Sequence, residues 1–371
     1  MKVLAMILAG GKGTRLGQLT KKNCKPAITF GAKYRIIDYT LSNCVESGIN
    51  NVGVLLQYES AFLDKYLGDG EKWGLDGLNS SLSTLAPHQS EAGEFWYRGT
   101  ADALIQNLDF IDKQNPEYIL VLSGDHIYTC SYKEMINQHI KNKADLTVSA
   151  LKVSKEDASR FGIFEVNNNI DVVGFEEKPA KPKSLLASMG VYVFTWKVLR
   201  KFLVNDDKDK SSSHDFGKNI VPTMLKNGCK IQTYLFEGYW KDVGTLQSLH
   251  EANMDLLVDD PDETLKNKVT IYTEDTNSVP QYIGKAGSCI HSLTNQGAII
   301  LGSVKDSVIS TSVLVQEGAT VVNSVVMENA VIGKDAKVYN AIVGPNTVIK
   351  DKEIVNGDEK DVVLVARGET L

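Results

Sequence analysis

Cysteine and histidine are scarce in this chain, with five and six among 371 residues. Cys24, Cys44, Cys130, Cys229 and Cys289 are dispersed and never in CxxC spacing. That pattern argues against a disulfide framework or a zinc site and fits a reducing cytoplasm. No apolar run approaches the ~20 residues that span a bilayer, so no membrane contact is expected. Neither charge dominates, since 40 Lys plus Arg face 46 Asp plus Glu, a net charge of −6. This argues against a nucleic-acid partner, while a local basic pocket for small anions stays open. The opening MKVLAMILAGG has one Lys and no small-residue cleavage site. It reads as a buried strand leading into a glycine loop rather than as a signal peptide.

What is present is organised in two textures. Over roughly the first two-thirds, short apolar runs alternate with helical patterns. KVLAMILA, NVGVLLQ, YILVLS and LTVSALKV read as strands. ESAFLDKYL, a stretch from Thr100 with Ala101, Leu104, Leu108 and Ile111 at helical spacing, and SYKEMINQHIKNK read as helices. The succession predicts an α/β domain with a mainly parallel sheet, whose ligands bind beyond the carboxyl ends of the strands. The polar stretch from Val204 to Asp215 reads as a loop, and the acidic VDDPDETLKN after it as a boundary.

Beyond about residue 290 the pattern becomes periodic. Val304, Val321, Val338 and Val355 recur seventeen apart, with a second column beginning at Ser307, Ser324 and Ala341. Such a period predicts stacked coils of a left-handed parallel β-helix, the other reading being an ordinary valine-rich β-domain. The expected division is a domain over 1–257, a linker over 258–290 and a β-helix over 291–371.

Three stretches carry candidate chemistry. In LAGGKGTRLG, Leu8 to Gly17, Lys12 stands between Gly11 and Gly13, so the Walker spacing fails; Leu16 stands where a dinucleotide fingerprint needs glycine. What remains is a strand followed by glycines whose amides suit a phosphate, with Arg15 as a planar fork and Lys25 as a second cation. Asp125, in SGDHIY, and Asp242, in GYWKDVGT, can converge as oxygen ligands for Mg²⁺. Glu177 and Lys178, in FEEKP, pair a carboxylate suited to sugar hydroxyls with an ammonium suited to a phosphate. His126 and His214 read as structural.

Taken together, and with YRIIDYTLSNC, WYRGTADA, LASMG and HDFGK added, these segments resemble the sugar-phosphate nucleotidyltransferases. Within them the chain is similar to the bacterial glucose-1-phosphate adenylyltransferase family, over about residues 5–257 and with the β-helix following. The resemblance implies a Rossmann-like, GT-A-type catalytic domain that transfers the adenylyl group of ATP to α-D-glucose 1-phosphate, for α-glucan synthesis. It implies that Leu8, Ala9, Gly10, Gly11, Gly13, Thr14 and Gln57 bind the nucleotide. Tyr97, Gly162, Glu177, Lys178 and Ser188 would bind glucose 1-phosphate. Arg15, Lys25, Asp125 and Asp242 would carry the chemistry, the two aspartates holding Mg²⁺. Gln57 and Trp96 would relay activation by small allosteric effectors, with Lys33 and Arg35 in the effector region. A homotetramer, or a heteromer with a related regulatory subunit, is the expected assembly. The chain departs from the family pattern at Ala32, Thr129 and Ser131. A non-catalytic subunit and an enzyme using UTP or dTTP are the alternatives. The acyltransferases that share the β-helix use a His within the coils, and none occurs after His291.

Overall fold

The computed structural model describes every residue except 1, 12, 88, 91–92, 95, 168–169, 259–268, 358–359, 367 and 371. Lys12 and most of the acidic boundary stretch therefore lie outside the described residues. Among the described residues, no helix is long and apolar enough to cross a membrane, and the five cysteines are free thiols.

The strand Val3–Leu8 sits in the middle of a nine-stranded sheet, between Asn51–Leu55 and Tyr118–Ser123, parallel to both. Leu8 is in register with Leu55 on one side and Ser123 on the other. The loops carrying Gly10 to Arg15, Gln57 and Asp125 therefore leave the sheet at one level. Helices flank the sheet and close it off from water. Its central strands are apolar throughout, as parallel strands covered on both faces must be, with Met6, Ile7, Leu120 and Val121 fully buried.

The parallel half is the half that the strand–helix alternation predicts. In the other half, Leu186–Thr195 runs antiparallel beside both Tyr118–Ser123 and Leu146–Lys152. Gly162–Val166 and Val172–Glu177 form an antiparallel pair at its edge. The helix expected from Thr100 is two, Thr100–Ile105 and Leu108–Gln114, broken at Asn107. The Asn107 side chain donates back to the Ala103 carbonyl and to the Tyr97 hydroxyl, competing with helix continuation. The stretch read as a loop from Val204 begins inside the helix Trp196–Asp207.

Three five-stranded parallel sheets build the C-terminal part, the arrangement of a left-handed β-helix. Val304, Val321, Val338 and Val355 are in register and point inward, the first three fully buried. Burying each such side chain contributes roughly 1.5–3 kcal/mol. The serine column is also a ladder: the Ser324 amide donates to the Ser307 hydroxyl, and the Ala341 amide to the Ser324 hydroxyl. Strands already in register with the coils occur at Tyr282–Ile283 and Ser288–Ile290, within the stretch read as linker. Ser288 meets Ser303 fifteen residues on rather than seventeen, so the first coil falls out of the periodic alignment.

One face of the β-helix packs on the first domain. Val308, Val325 and Ile342 join Leu16, Leu249, Ala252 and Leu256 in one buried cluster. His250 Nε2 lies 2.7 Å from the Asn323 carbonyl and adds a polar tie across the junction.

Candidate active site

The glycine loop starts where the first strand stops. Gly13 adopts φ +59, the left-handed region open to glycine, and the Thr20 hydroxyl donates to its carbonyl, closing the turn. Gly10 lies so close to Gln57 that an added Cβ would fall 2.8 Å from that side chain's Cβ. The loop leads into a cavity of about 540 Å³ lined by Leu8, Ala9, Gly10, Gly11, Gly13, Thr14 and Arg15. Lys25, Gln57, Tyr97, Ser123 and Asp125 complete much of its wall.

At the cavity floor the Lys25 ammonium donates to Asp125 Oδ2 at 2.9 Å and to Asp242 Oδ1 at 2.8 Å. Lys25 is buried, both aspartates half-buried. Burial alone would raise the Asp125 carboxyl, but the Lys25 charge and the Ser123 hydroxyl hold it well below the usual carboxylate range. Asp242 is lowered in the same way, against its own desolvation, by Lys25. The same two carboxylates push Lys25 up, although burial works against its charge.

The convergence has a backbone cause. Trp240–Asp242 pairs antiparallel with His126–Tyr128, with Asp242 opposite His126. One ligand atom each of Asp125, His126 and Asp242 then lies within 4.8 Å of the others. His126 Nδ1 is buried and has no protein partner. The two carboxylates, with His126 Nε2 3.5 Å from Asp125 Oδ1, fit a divalent cation shared with phosphate oxygens. Gly244 borders the same place, where a Cβ would come 2.7 Å from Arg15 Nη2 and 3.0 Å from Asp242 Oδ1. An added methyl group there would push the Arg15 guanidinium away from the carboxylate.

A second cluster adjoins the first through Asp215, which lines the cavity. Gly162 packs against Glu177, and a Cβ on Gly217 would lie 2.8 Å from Glu177 Oε2 and 3.4 Å from Asp215 Oδ1. The Ser188 hydroxyl is 3.2 Å from the Tyr192 hydroxyl. Burial, with Glu177 and Asp215 nearby, pushes that Tyr192 hydroxyl up to about 12. Lys178 is exposed with its ammonium 3.6 Å from Glu177, and its φ of +49 turns the chain at the strand end.

Tyr97 stands with the first cluster rather than the second. Its hydroxyl donates to the Leu85 carbonyl, and its own carbonyl accepts from Gln57 Nε2 at 3.2 Å. Trp96, half-exposed, stacks on Tyr58 at 4.8 Å, so Gln57–Tyr58 and Trp96–Tyr97 are clasped twice.

Asp215, Gly244 and Tyr192 join the site without having been expected there from the sequence, and so does His126. HDFGK carried a signal for Asp215, but a carboxylate that caps a helical turn, as it does toward the Lys218 amide, looks the same in sequence. His214 is structural as expected: its carbonyl accepts the Ala101 and Asp102 amides, and its ring lies 2.7 Å from Asp206.

Residues 4–258 match the nucleotidyl transferase family, and residues 276–363 the GlmU-like, C-terminal hexapeptide family. The chain is similar to proteins named glucose-1-phosphate adenylyltransferase in Bacillus mycoides (strain KBAB4), Bacillus thuringiensis subsp. konkukian (strain 97-27) and Bacillus anthracis. Each is 48% identical over 370 residues, covering 99% of this chain and 98% of the relative. With a catalytic domain, a β-helix and a full-length match in agreement, the chain belongs to the glucose-1-phosphate adenylyltransferase family.

Proposed function

We propose that this chain transfers the adenylyl group of ATP to α-D-glucose 1-phosphate, releasing pyrophosphate and ADP-glucose for α-glucan (glycogen) synthesis. The observation that carries the reading is the Lys25–Asp125–Asp242 cluster at the foot of a glycine loop that ends in Arg15. The nucleotide takes the glycine-loop side, its phosphates on the backbone of Gly10, Gly11 and Gly13 beside Thr14 and its base toward Gln57. Glucose 1-phosphate takes the side of Gly162, Glu177, Lys178 and Ser188, with Tyr97 reaching it from the shared wall.

No side-chain nucleophile is needed, because the sugar phosphate already carries an anionic oxygen. The protein holds that oxygen in line with the α-phosphorus and the departing pyrophosphate. Lys25 and Arg15 stabilise the charge that develops there. Asp125 and Asp242 would hold Mg²⁺, which when bound offsets the charge of the phosphates and orients them. Lys25 offsets one of the pair's two charges, so the cluster keeps a net negative charge toward the cation it would hold. Incubation with Mg-ATP and glucose 1-phosphate should release pyrophosphate, and silence with ATP but turnover with UTP or dTTP would overturn the base assignment.

Regulation and assembly belong to the same reading. Small-molecule effectors bind at the junction of the two domains, where Lys33, Tyr34, Leu256, Ile271, Leu293 and Asn295 surround a space of about 740 Å³. Gln57 and Trp96 pass the signal to the nucleotide side. The chain assembles as a homotetramer, or with a related regulatory subunit, in the cytoplasm.

A further inference from the structure

We infer that Glu328, a residue of the β-helix, is a positioning residue for the reaction: it acts through Arg35 to hold the turn that carries Lys25. The inference rests on the role given to Lys25 above.

Lys25 reaches the cavity from a weak piece of backbone. Lys25–Ala27 is a single 3₁₀ turn, closed by the Ala27 amide on the Cys24 carbonyl and the Ile28 amide on the Lys25 carbonyl. Pro26 supplies no amide, and the hydrogen-bond geometry of one such turn is poor. The Ala27 carbonyl is gripped from outside the turn, by Arg35 Nη1 at 2.6 Å.

Arg35 is itself held from several sides. Its guanidinium lies over the Phe62 and Tyr66 rings, 4.6 and 4.9 Å from their centroids. Its Nη2 is 3.9 Å from Glu328 Oε1, and the other Glu328 oxygen accepts from the Thr29 hydroxyl at 2.7 Å. Thr29 and Arg35 stand opposite each other in the antiparallel pair of Thr29–Phe30 with Tyr34–Arg35. One carboxylate from the coils therefore spans both strands. The Arg35 and Glu328 side chains are only 18% and 25% exposed, so salt screens their attraction weakly.

The other contacts between the two domains lack this reach. The cluster with Val308, Val325 and Ile342 on the coil side is apolar, and such burial gives adhesion without direction. The His250 tie ends on the Asn323 carbonyl, and the Asn295 amide donates to the Ala32 carbonyl. Glu328 instead meets the residue that grips the Lys25 turn. From Ala27 the path runs two peptide bonds back to Lys25, whose ammonium meets Asp125 and Asp242. Stabilising charge at the reacting phosphorus depends on placement, so a turn that drifts loses rate before it loses substrate affinity.

Pyrophosphate release from Mg-ATP and glucose 1-phosphate, with no effector added, tests this beside amide exchange on the same proteins. Glu328→Ala should lower kcat about tenfold or more, with both KM values within about twofold and the melting temperature nearly unchanged. The Ala27 and Ile28 amides should exchange about tenfold faster in this variant, while the strand Val3–Leu8 stays as protected as before. Glu328→Gln, which keeps an acceptor for Thr29, should recover part of the rate, and it is the second variant should the alanine fail to fold. In a Lys25→Met background, Glu328→Ala should cost less than about twofold, since a residue that acts through Lys25 has nothing left to place. An undiminished kcat, the same loss without Lys25, or unaltered exchange at the turn would each overturn the inference. A wild type that releases no pyrophosphate would count against the catalytic reading, and amide exchange would still judge the tie.

Discussion

Asp242 stands directly opposite His126 in a two-stranded antiparallel ladder, and this places its carboxylate beside Asp125. The backbone holds the acidic pair together, and Lys25 offsets one of its two charges. Binding of metal is therefore not what shapes the site. Chelation should stop pyrophosphate release while leaving the thermal unfolding curve nearly in place.

Asp125→Asn keeps the shape of the side chain and removes its charge. The rate should fall about 10²–10³-fold with the fold unchanged, the scale seen when one preorganised electrostatic group is lost. Steady-state kinetics with Mg-ATP and glucose 1-phosphate measures it. A rate near that of the wild type would mean that Asp125 holds no metal.

Lys25→Met leaves two half-buried carboxylates facing each other. Both have folded-state values below the unfolded one near 3.8, so their contribution is present above that pH and is lost as pH falls through the folded values. The variant's deficit should accordingly hold at about 2 kcal/mol, after allowing for partial exposure, from neutrality down to about pH 4, and shrink only well below it as the folded carboxylates protonate. Mg²⁺ should stabilise this variant more than the wild type, because the cation takes over a charge the ammonium supplied. Denaturant titrations across pH, with and without Mg²⁺, decide it.

Gly244→Ala puts a methyl group 2.7 Å from the Arg15 guanidinium. The guanidinium must move away from Asp242, and a tenfold or larger loss in kcat/KM follows, about 1.4 kcal/mol or more of transition-state stabilisation. Melting should change little, since Arg15 is exposed. Unaltered kinetics would show that Arg15 acts from elsewhere.

Asp38 has the opposite electrostatics. It is fully buried between the Tyr66 and Thr273 hydroxyls, and burial pushes its carboxyl up to about 6. A raised folded value favours the protonated form, so its contribution is present below pH 3.8 and is lost as pH rises through 6. Relative to Asp38→Asn, which does not titrate, the wild type should lose about 2 kcal/mol between pH 4 and pH 6. A flat difference across that window would show that Asp38 ionises at its ordinary value.

Ala32 has φ +67, in the left-handed region that costs an L-residue about 1 kcal/mol. Ala32→Gly should relieve that strain and, after the entropy glycine adds to the unfolded chain, raise stability by up to about 1 kcal/mol. Calorimetry reads the shift; a lower melting temperature would mean that the turn carries no strain.

The parts legible in the sequence were those with a local cause. Inward valines of a coil recur at a fixed period because each coil repeats the same turn, so Val304 to Val355 could be aligned by eye. The glycine loop and Asp125 follow strands that end at one level, which strand order alone implies. What stayed hidden depends on partners far along the chain. The antiparallel course of Leu186–Thr195 is set by its two neighbours, and an apolar strand reads the same in either direction. Gly244 looks like any turn glycine until Arg15 is seen beside it. The unpaired nitrogen of His126 is a property of packing, not of composition.

The helix Leu246–Met254 begins just past Gly244, and its Leu249 and Ala252 rest on the β-helix. It is thus a rigid strut with one end beside Arg15 and Asp242 and its flank seated on the coils. A chain cut after residue 257 would strip that seat and bare Leu249, Ala252 and Leu256 to water. The β-helix is in this sense the foundation under the catalytic floor, and grafting a foreign one would require matching the side chains beneath that strut.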